Sequence, residues 1–341
     1  MASLQKTDVE AGSIYYRERV ANIQHPSILI SRISGSEQEK DLTVPPNCEG
    51  FGRIRHFHRK RNANWVQNPL PIDPVCRALM LPTTDLMRAQ VFQIAACNFR
   101  CWYCYVPYSL LKADIGCSGW LSPSALIDLY LSQENPPPVI VLSGGLPELV
   151  PEWVAWMMKE LNRRKMEDKI YLWSDDNLTS DYFWRFLSQE DQHLITNYPN
   201  YGRVCCFKGF DRESFSFNTL VDALFFERQL ELMKRMLTIG IDLYAYVVLT
   251  TETSSELDKR VRNFIDRLQK LDINLPLRTI PLEIREFTPV KKRLDISRTE
   301  ALRNQHIAIE AWKMEVEKRY TLRERMQNVR EIQIGTKHNS G

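Results

Sequence analysis

The sequence predicts an α/β protein built around a parallel sheet of repeated strand–helix units. From about residue 88 onward, six short β-rich runs alternate with helical segments, which is the pattern of successive βα units. Most of these runs are apolar along their whole length, as expected for strands covered on both faces. A chain of 341 residues can form one large α/β barrel domain with extensions or two ordinary domains, and we favour the single domain.

The β-rich runs and the helices between them can be placed from local signals. Ser122 followed by Pro123 indicates a helix start, and Thr253 with Glu256 has the spacing of a capping box. A long helix from about Thr299 to Val329 is expected to close against the barrel. The six predicted strands are Gln90 to Ala95, Val139 to Leu142, Lys169 to Trp173, Arg203 to Phe207, Ile241 to Leu249 and Leu277 to Ile284.

Residues 1–87 form an N-terminal extension. Its first 50 residues show little periodicity and are expected to form a partly ordered arm. The following segment, GFGRIRHFHRKRNANW, interleaves basic and aromatic side chains. Such a segment can bind the phosphates of a nucleic acid and stack on its bases. Alternatively, it can pack on the barrel as a strand or arm with its charges in solvent. Its basic residues are Arg53, Arg55, Arg59, Lys60 and Arg61.

The composition indicates a soluble globular protein. Hydrophobic residues make up 44% and charged residues 26% of the chain, and no apolar run approaches the roughly 20 residues of a membrane span. The opening MASLQKTDVE lacks the basic-then-apolar start of a secretory signal. We therefore expect a reducing cytoplasm, in which the eight cysteines serve metal binding or packing rather than disulfides.

Three cysteines follow the first predicted strand at spacings of three and two residues. Cys97, Cys101 and Cys104 share a short loop without glycine or proline, so their thiols can converge on one small volume. Zinc and iron–sulfur clusters usually take four protein ligands, so three cysteines leave one position open. The alternative is a structural site whose fourth ligand comes from elsewhere, for instance from Cys48, Cys76 or Cys117.

Polar residues also follow the next three strands, and the carboxyl ends of parallel strands are where a barrel carries its working residues. Paired glycines at a strand end let a ligand approach the backbone or simply make a turn. The polar run after the third strand can accept hydrogen bonds from ribose or cap a helix. These residues are Ser143, Gly144 and Gly145 after the second strand, Ser174, Asp175 and Asn177 after the third, and Lys208 after the fourth.

The cysteine motif CNFRCWYC resembles the CxxxCxxC signature of the radical S-adenosylmethionine (radical SAM) superfamily, with the aromatic Tyr103 before the third cysteine. SGGLP resembles the family's GGEP motif, with Leu146 in place of the glutamate. FKGFD resembles the Asp-Leu-Lys-Gly-Phe-Asp stretch of activating enzymes for glycyl-radical proteins, and Cys206 stands where those relatives have the leading aspartate. The chain is most similar to the pyruvate formate-lyase-activating-enzyme-like branch.

The resemblance implies a partial (β/α)6 radical SAM barrel over residues 88–289, with the N-terminal extension before it and a C-terminal helical extension over residues 290–341. It assigns Cys97, Cys101 and Cys104 to a 4Fe-4S cluster. The S-adenosylmethionine contacts that it implies are Tyr103 at the adenine, Ser143, Gly144 and Gly145 at the methionine amino group, Ser174, Asp175 and Asn177 at ribose or carboxylate, and Lys208 at the carboxylate or the substrate.

The implied activity is reductive cleavage of S-adenosylmethionine to a 5′-deoxyadenosyl radical that abstracts hydrogen from a substrate. A flavodoxin or ferredoxin would supply the electron, and no membrane partner is expected. The similar strand-end motifs favour an activase that acts on a glycyl-radical protein. The basic-aromatic segment favours modification of a nucleic acid or nucleotide, and a structural iron–sulfur or zinc protein without turnover is the third alternative.

Overall fold

The computed structural model describes residues 8–335 and confirms the α/β fold class. The strands in this range are β1 (Ala21–Asn22), β2 (Ser27–Ser31), β3 (Gly52–His58), β4 (Leu86–Gln93), β5 (Ser118–Leu121), β6 (Val139–Ser143), β7 (Tyr171–Asp176), β8 (Tyr201–Phe207), β9 (Leu243–Val248) and β10 (Thr279–Leu282). The α-helices in the same range are α1 (Val9–Val20), α2 (Ile72–Ala78), α3 (Pro123–Leu131), α4 (Glu152–Arg163), α5 (Tyr182–Phe186), α6 (Gln189–Asn197), α7 (Arg212–Thr219), α8 (Phe225–Leu237), α9 (Leu257–Leu271), α10 (Thr288–Lys291), α11 (Ile296–Arg319) and α12 (Leu322–Arg325).

The main sheet is a curled half-barrel. Within the described residues it has seven strands in the order β10-β9-β8-β7-β6-β4-β3. The six strands predicted from the sequence form its parallel part, from β4 through β10. Strand β3 is added antiparallel to β4, with Arg53 opposite Val91 and Arg55 opposite Ala89. The carboxyl ends of all six parallel strands therefore open at the same edge of the sheet.

The two faces of the half-barrel are covered differently. The outer face packs against helices, for example through Phe207 and Phe264 of α9, whose ring centroids lie 5.5 Å apart. The lower part of the inner face is filled by a second apolar cluster that includes Val75 of α2, Trp173 and Tyr244. This cluster fills the amino-terminal part of the barrel interior, and a cavity remains toward the carboxyl ends of the strands.

The N-terminal extension is an ordered part of the structure, so the expectation of a partly ordered arm is corrected for residues 8–50. Asp8 caps α1 by accepting a hydrogen bond from the Ala11 amide. Arg17 of α1 forms an ion pair with Glu152 at the start of α4. Strand β2 pairs antiparallel with both β1 and β5 in a small second sheet. Long-range pairing of this kind leaves no helical or alternating pattern strong enough to recognise locally.

The helix signals gave mixed results. Ser122 caps α3 with Pro123 in its first turn, as predicted. The predicted capping box at Thr253 is wrong, because α9 begins at Leu257 and Glu256 adopts a left-handed conformation before it. The long C-terminal helix is interrupted at Tyr320, after which Thr321 caps α12. Among residues 8–335, no helix combines the length and apolar character that a membrane crossing requires.

Candidate active site

A cavity of about 680 Å³ lies at the carboxyl ends of the parallel strands. This volume is within the range of about 300 to 1,000 Å³ that is typical of small-molecule sites. Ten of the eleven residues that the sequence analysis assigned to a cluster or to S-adenosylmethionine line it. They are Cys97, Cys101, Cys104, Tyr103, Ser143, Gly144, Gly145, Asp175, Asn177 and Lys208. Residues separated by more than 100 positions in the chain therefore share one wall.

The cysteine loop supplies three free thiols to this cavity. Cys101 is buried, and Cys97 and Cys104 are partly buried. The amide of Phe99 donates a hydrogen bond to the Cys97 Sγ at 3.4 Å. The three cysteines considered as additional ligands, Cys48, Cys76 and Cys117, do not line the cavity. A fourth thiol in the wall is that of Cys206.

Two arginines fix the backbone of the cysteine loop. Arg100 donates hydrogen bonds to the carbonyl oxygens of Cys97 at 2.5 Å and Leu111 at 3.0 Å. Arg293, from the C-terminal extension, donates to the carbonyl of Cys104 and to that of Val106 at 3.2 Å. These contacts satisfy loop carbonyls that have no strand or helix partner, and they hold the loop in one conformation.

A buried amide network joins the cysteine loop to the end of β7. Asn98 donates hydrogen bonds to the hydroxyls of Ser13, at 2.9 Å, and Thr179, at 2.8 Å. Its oxygen accepts a hydrogen bond from Asn177 at 2.9 Å. Asn177 lies at the cavity wall as predicted, but its side-chain amide is engaged with Asn98 and Thr179. Its position is therefore fixed by the loop.

The paired glycines let the turn after β6 contact the backbone of Ala96, which directly precedes Cys97. The Leu146 amide donates a hydrogen bond to the Ala96 carbonyl at 2.8 Å. A Cβ on Gly145 would lie 1.8 Å from the same oxygen, and Gly144 has a φ of +91°. Close approach of the two backbones therefore requires glycine at Gly145. The turn and Cys97 are held together by this contact.

Charged side chains lie beside the thiols. The Ser143 hydroxyl donates a hydrogen bond to Asp175. Burial raises the pKa of Asp175, and this hydrogen bond and the positive charges of Arg55 and Lys208 oppose the rise. Burial alone would lower the pKa of Lys208, but the neighbouring sulfur atoms, above all that of Cys206, raise it. Lys208 therefore lies beside the cysteine sulfurs, where its ammonium form is favoured when those sulfurs are ionised.

Ser174 is the predicted site residue that the structure does not bring to the cavity. Strand β7 extends to Asp176, and successive side chains of a strand point to opposite faces. The Ser174 hydroxyl consequently lies on the outer face, 2.7 Å from the hydroxyl of Tyr201. The same alternation separates Cys205, which is buried in the outer core, from Cys206 at the cavity.

Glu148, which follows the Gly-Gly turn, is buried in the core and does not line the cavity. Glu148 is buried against Arg203, with 3.0 Å between its Oε2 and the Arg203 Nη1, and Asp176 lies 3.5 Å from the same nitrogen. Burial raises the pKa of Glu148 to about 8, although the Arg203 charge opposes the rise. Glu148 also accepts a hydrogen bond from the amide of Phe183 at 2.9 Å. It therefore stabilises the packing behind the turn.

The sequence analysis missed several residues of the site. Arg53 lines the cavity, is buried, and donates hydrogen bonds to Tyr105 and to Gln93, the latter at 3.3 Å. Of the basic-aromatic segment, Arg55, Lys60 and Arg61 also line the cavity, whereas Arg59 is ion-paired with Asp73. The segment is thus a strand on the barrel, as one alternative held, but part of its charge faces the cavity and not the solvent.

The three loop thiols are the candidate ligands of a metal centre in this cavity. Within residues 8–335, no three Cys, His, Asp or Glu side chains are arranged to hold one metal ion. A zinc ion needs its thiolates at about 2.3 Å from one point, whereas the irons of a cluster are held by separate thiolates. Burial raises the pKa of the Cys101 thiol to about 12 and also raises that of Cys104. Metal binding would be required to keep them ionised.

Comparisons with known proteins gave distant likenesses. No protein-family model matches the chain, and no curated protein matches it. SuiB of Streptococcus suis bound to S-adenosylmethionine has 15% identity and a TM-score of 0.44, covering 65% of this chain and 46% of SuiB. The structure of anSMEcpe with bound AdoMet and the Cp18Cys peptide has 17% identity and a TM-score of 0.37, covering 56% of this chain and 49% of anSMEcpe. The chain thus spans less than half the length of these proteins, and the site is interpreted from its own residues.

Proposed function

We propose that this chain is a radical SAM enzyme in which Cys97, Cys101 and Cys104 hold a 4Fe-4S cluster and the adjoining cavity holds S-adenosylmethionine. The observation that carries this proposal is the convergence of three thiols from one loop with the polar ends of three parallel strands on a single cavity. Three thiolates leave one of four irons without a protein ligand. When bound, the cluster and S-adenosylmethionine would supply reductive cleavage of the sulfonium C–S bond, yielding a 5′-deoxyadenosyl radical that abstracts hydrogen from the substrate.

The chain's own residues would position the reactants. Lys208 offers a positive charge to a carboxylate at the cysteine end of the cavity. The Gly144–Gly145 turn lines the same wall, where backbone groups without side chains of their own can approach a ligand. Buried apolar residues such as Phe99 and Leu146 exclude water from the same end. Exclusion of water and a fixed geometry are what a reactive radical needs from the protein. A flavodoxin or ferredoxin would deliver the electron.

A closed structural cluster is the second candidate, because Cys206 places a fourth thiol in the cavity wall. Burial raises the pKa of Cys206, and the charges that act most on it are those of Lys208 and Asp175, whereas the loop cysteines raise one another's pKa. If Cys206 were a ligand, the cluster would have four thiolates and no open iron. S-adenosylmethionine would then have no place to bind the metal.

The decisive experiment is anaerobic cluster reconstitution of single cysteine variants. The wild type should bind about four irons and four sulfides per chain, and Cys97→Ala, Cys101→Ala and Cys104→Ala should each lose them. Cys206→Ala should keep the cluster, as should the control Cys117→Ala, whose sulfur lies outside the cavity. Reduction with dithionite should convert S-adenosylmethionine to 5′-deoxyadenosine, detected by chromatography. Loss of iron in Cys206→Ala, with no 5′-deoxyadenosine from the wild type, would establish the closed structural cluster instead.

A further inference from the structure

The cavity has a second charged region away from the cysteines, formed by strand β3 and the turn after it. Arg53 and Arg55 alternate along β3 and face inward with Phe57, which packs in the inner core. Arg61 reaches the cavity from the turn that follows. Arg285, which follows β10, also lines the cavity near this turn. The basic segment singled out in the sequence therefore contributes cations to the interior of the barrel.

The ion pairs of these cations show which charges are already compensated. Arg59 is paired with Asp73 and Asp85, and Arg285 is paired with Glu283 at 2.9 Å. Neither Arg55 nor Arg61 has a carboxylate within ion-pair distance in residues 8–335. Arg55 stacks on the Phe57 ring at 4.1 Å, and Arg61 donates a hydrogen bond to the His56 carbonyl at 2.9 Å. The guanidinium groups of Arg55 and Arg61 therefore both have N–H donors available to a ligand in the cavity.

The like charges in this region crowd one another. Burial lowers the pKa of Arg61, and the positive charges of Arg55 and Arg285 lower it further, while Glu283 opposes the shift only weakly. Positive charges held together at the wall of a cavity cost free energy unless an anion compensates them. Lys208 already stands at the cysteine end for a carboxylate. An anion that enters the cavity away from the cysteines would therefore meet Arg55 and Arg61, which have no ion-pair partner within residues 8–335.

We propose that the substrate of this enzyme is a small molecule with a phosphate group, and that Arg55 and Arg61 bind this phosphate. The reaction that this substrate would undergo rests on the proposed function, whereas the anion site does not depend on it. Guanidinium groups match the oxygens of phosphate bidentately. A phosphate dianion compensates two positive charges, whereas a single carboxylate compensates one. With the phosphate at Arg55 and Arg61, the rest of the molecule would extend toward the cysteine loop.

The test is calorimetric titration of the full-length reconstituted protein with inorganic phosphate at constant ionic strength, with iron content measured on the same samples. Arg55→Gln and Arg61→Gln should each weaken binding about tenfold or more, because each removes charge-assisted hydrogen bonds. The control Arg303→Gln removes the same charge from the exposed face of α11, where the side chain is 73% exposed. It should bind phosphate as the wild type does.

The outcomes separate this inference from the proposed function. Absence of phosphate binding by a protein with a full iron complement overturns the phosphate site alone. If the protein holds no iron but its phosphate binding depends on Arg55 and Arg61, the anion site is supported and the radical SAM assignment is overturned. Acetate binding as tight as phosphate binding, or equal weakening in Arg303→Gln, overturns the phosphate assignment. Loss of S-adenosylmethionine binding in Arg55→Gln, with phosphate binding intact, would show that Arg55 serves the cofactor instead.

Discussion

Arg293 is predicted to hold the cysteine loop in its cluster-binding conformation, although it lies almost 190 residues further along the chain. Its guanidinium donates hydrogen bonds to the carbonyls of Trp102 at 3.4 Å, Cys104, and Val106 at 3.2 Å. It also stacks on the Tyr108 ring at 3.7 Å. Replacing Arg293 by Gln removes these contacts and leaves three carbonyls of the loop without their donor.

The cost of Arg293→Gln can be worked out from these contacts. A hydrogen bond from a charged donor contributes about 1.5 to 3 kcal/mol. The hydrogen bonds to Trp102 and Val106 are long, and each is taken to contribute about half of that energy. The cation–π contact adds about 0.5 to 1 kcal/mol. Arg293 is only partly buried, so solvent reduces the sum. We expect the free energy of unfolding to fall by about 2 to 4 kcal/mol.

Urea unfolding under anaerobic conditions measures this loss, and iron analysis measures its consequence for the site. Arg293→Gln should hold less iron than the wild type and lose its visible absorbance faster in air, because the loop opens more often. Arg303→Gln on the exposed face of the same extension should behave as the wild type. A variant at Arg293 that unfolds at the wild-type urea concentration and keeps all its iron would refute the reasoning.

Two further changes test the packing behind the site. Gly145→Ala places a Cβ at 1.8 Å from the Ala96 carbonyl; the thermal midpoint and the iron content should fall together, and a fully loaded protein of unchanged stability would contradict this. Burial raises the pKa of Glu148 to about 8, compared with about 4.3 in the unfolded chain. Between these values the native state binds a proton that the unfolded state has lost. The free energy of unfolding should therefore decrease as the pH rises from about 4.5 to 8. Glu148→Gln should flatten this dependence in urea unfolding at pH 5.5 and 8, whereas parallel curves for both proteins would argue against the buried proton.

The parallel sheet could be predicted because burial on both faces leaves a local signature. Strands such as β6 and β9 are apolar at every position, so a short window of sequence is enough to find them. The site residues at their ends followed from the same strands, since parallel strands end at one edge. Ser174 does not reach the cavity because β7 continues three residues past Trp173, to Asp176, and the alternation of the strand places Ser174 on the outer face.

The contacts that fix the cysteine loop could not be predicted in the same way. Asn98 depends on Ser13 and Thr179, and Arg293 depends on carbonyls almost 190 residues before it. Such hydrogen bonds join distant parts of the chain through backbone atoms, which every residue type carries. No periodicity or spacing marks them. The predicted capping box at Thr253 is wrong because the Thr253 hydroxyl accepts a hydrogen bond from the Ser255 amide instead, and α9 begins only at Leu257.

The inward-facing arginines of β3 are an intermediate case, because a signal was present in GRIRHFH. Alternate residues of a strand share a face, so Arg53 and Arg55 must lie on the same side as Phe57. If Phe57 is taken as the core residue of that strand, both arginines point into the barrel, and the register opposite Val91, Ala89 and Met87 places them there. The strand then carries an apolar residue at the plugged end and cations toward the open end. An edge strand built in this way delivers charge to the reaction chamber, which is why we associate the segment with a substrate held inside the barrel and not with a polymer on its surface.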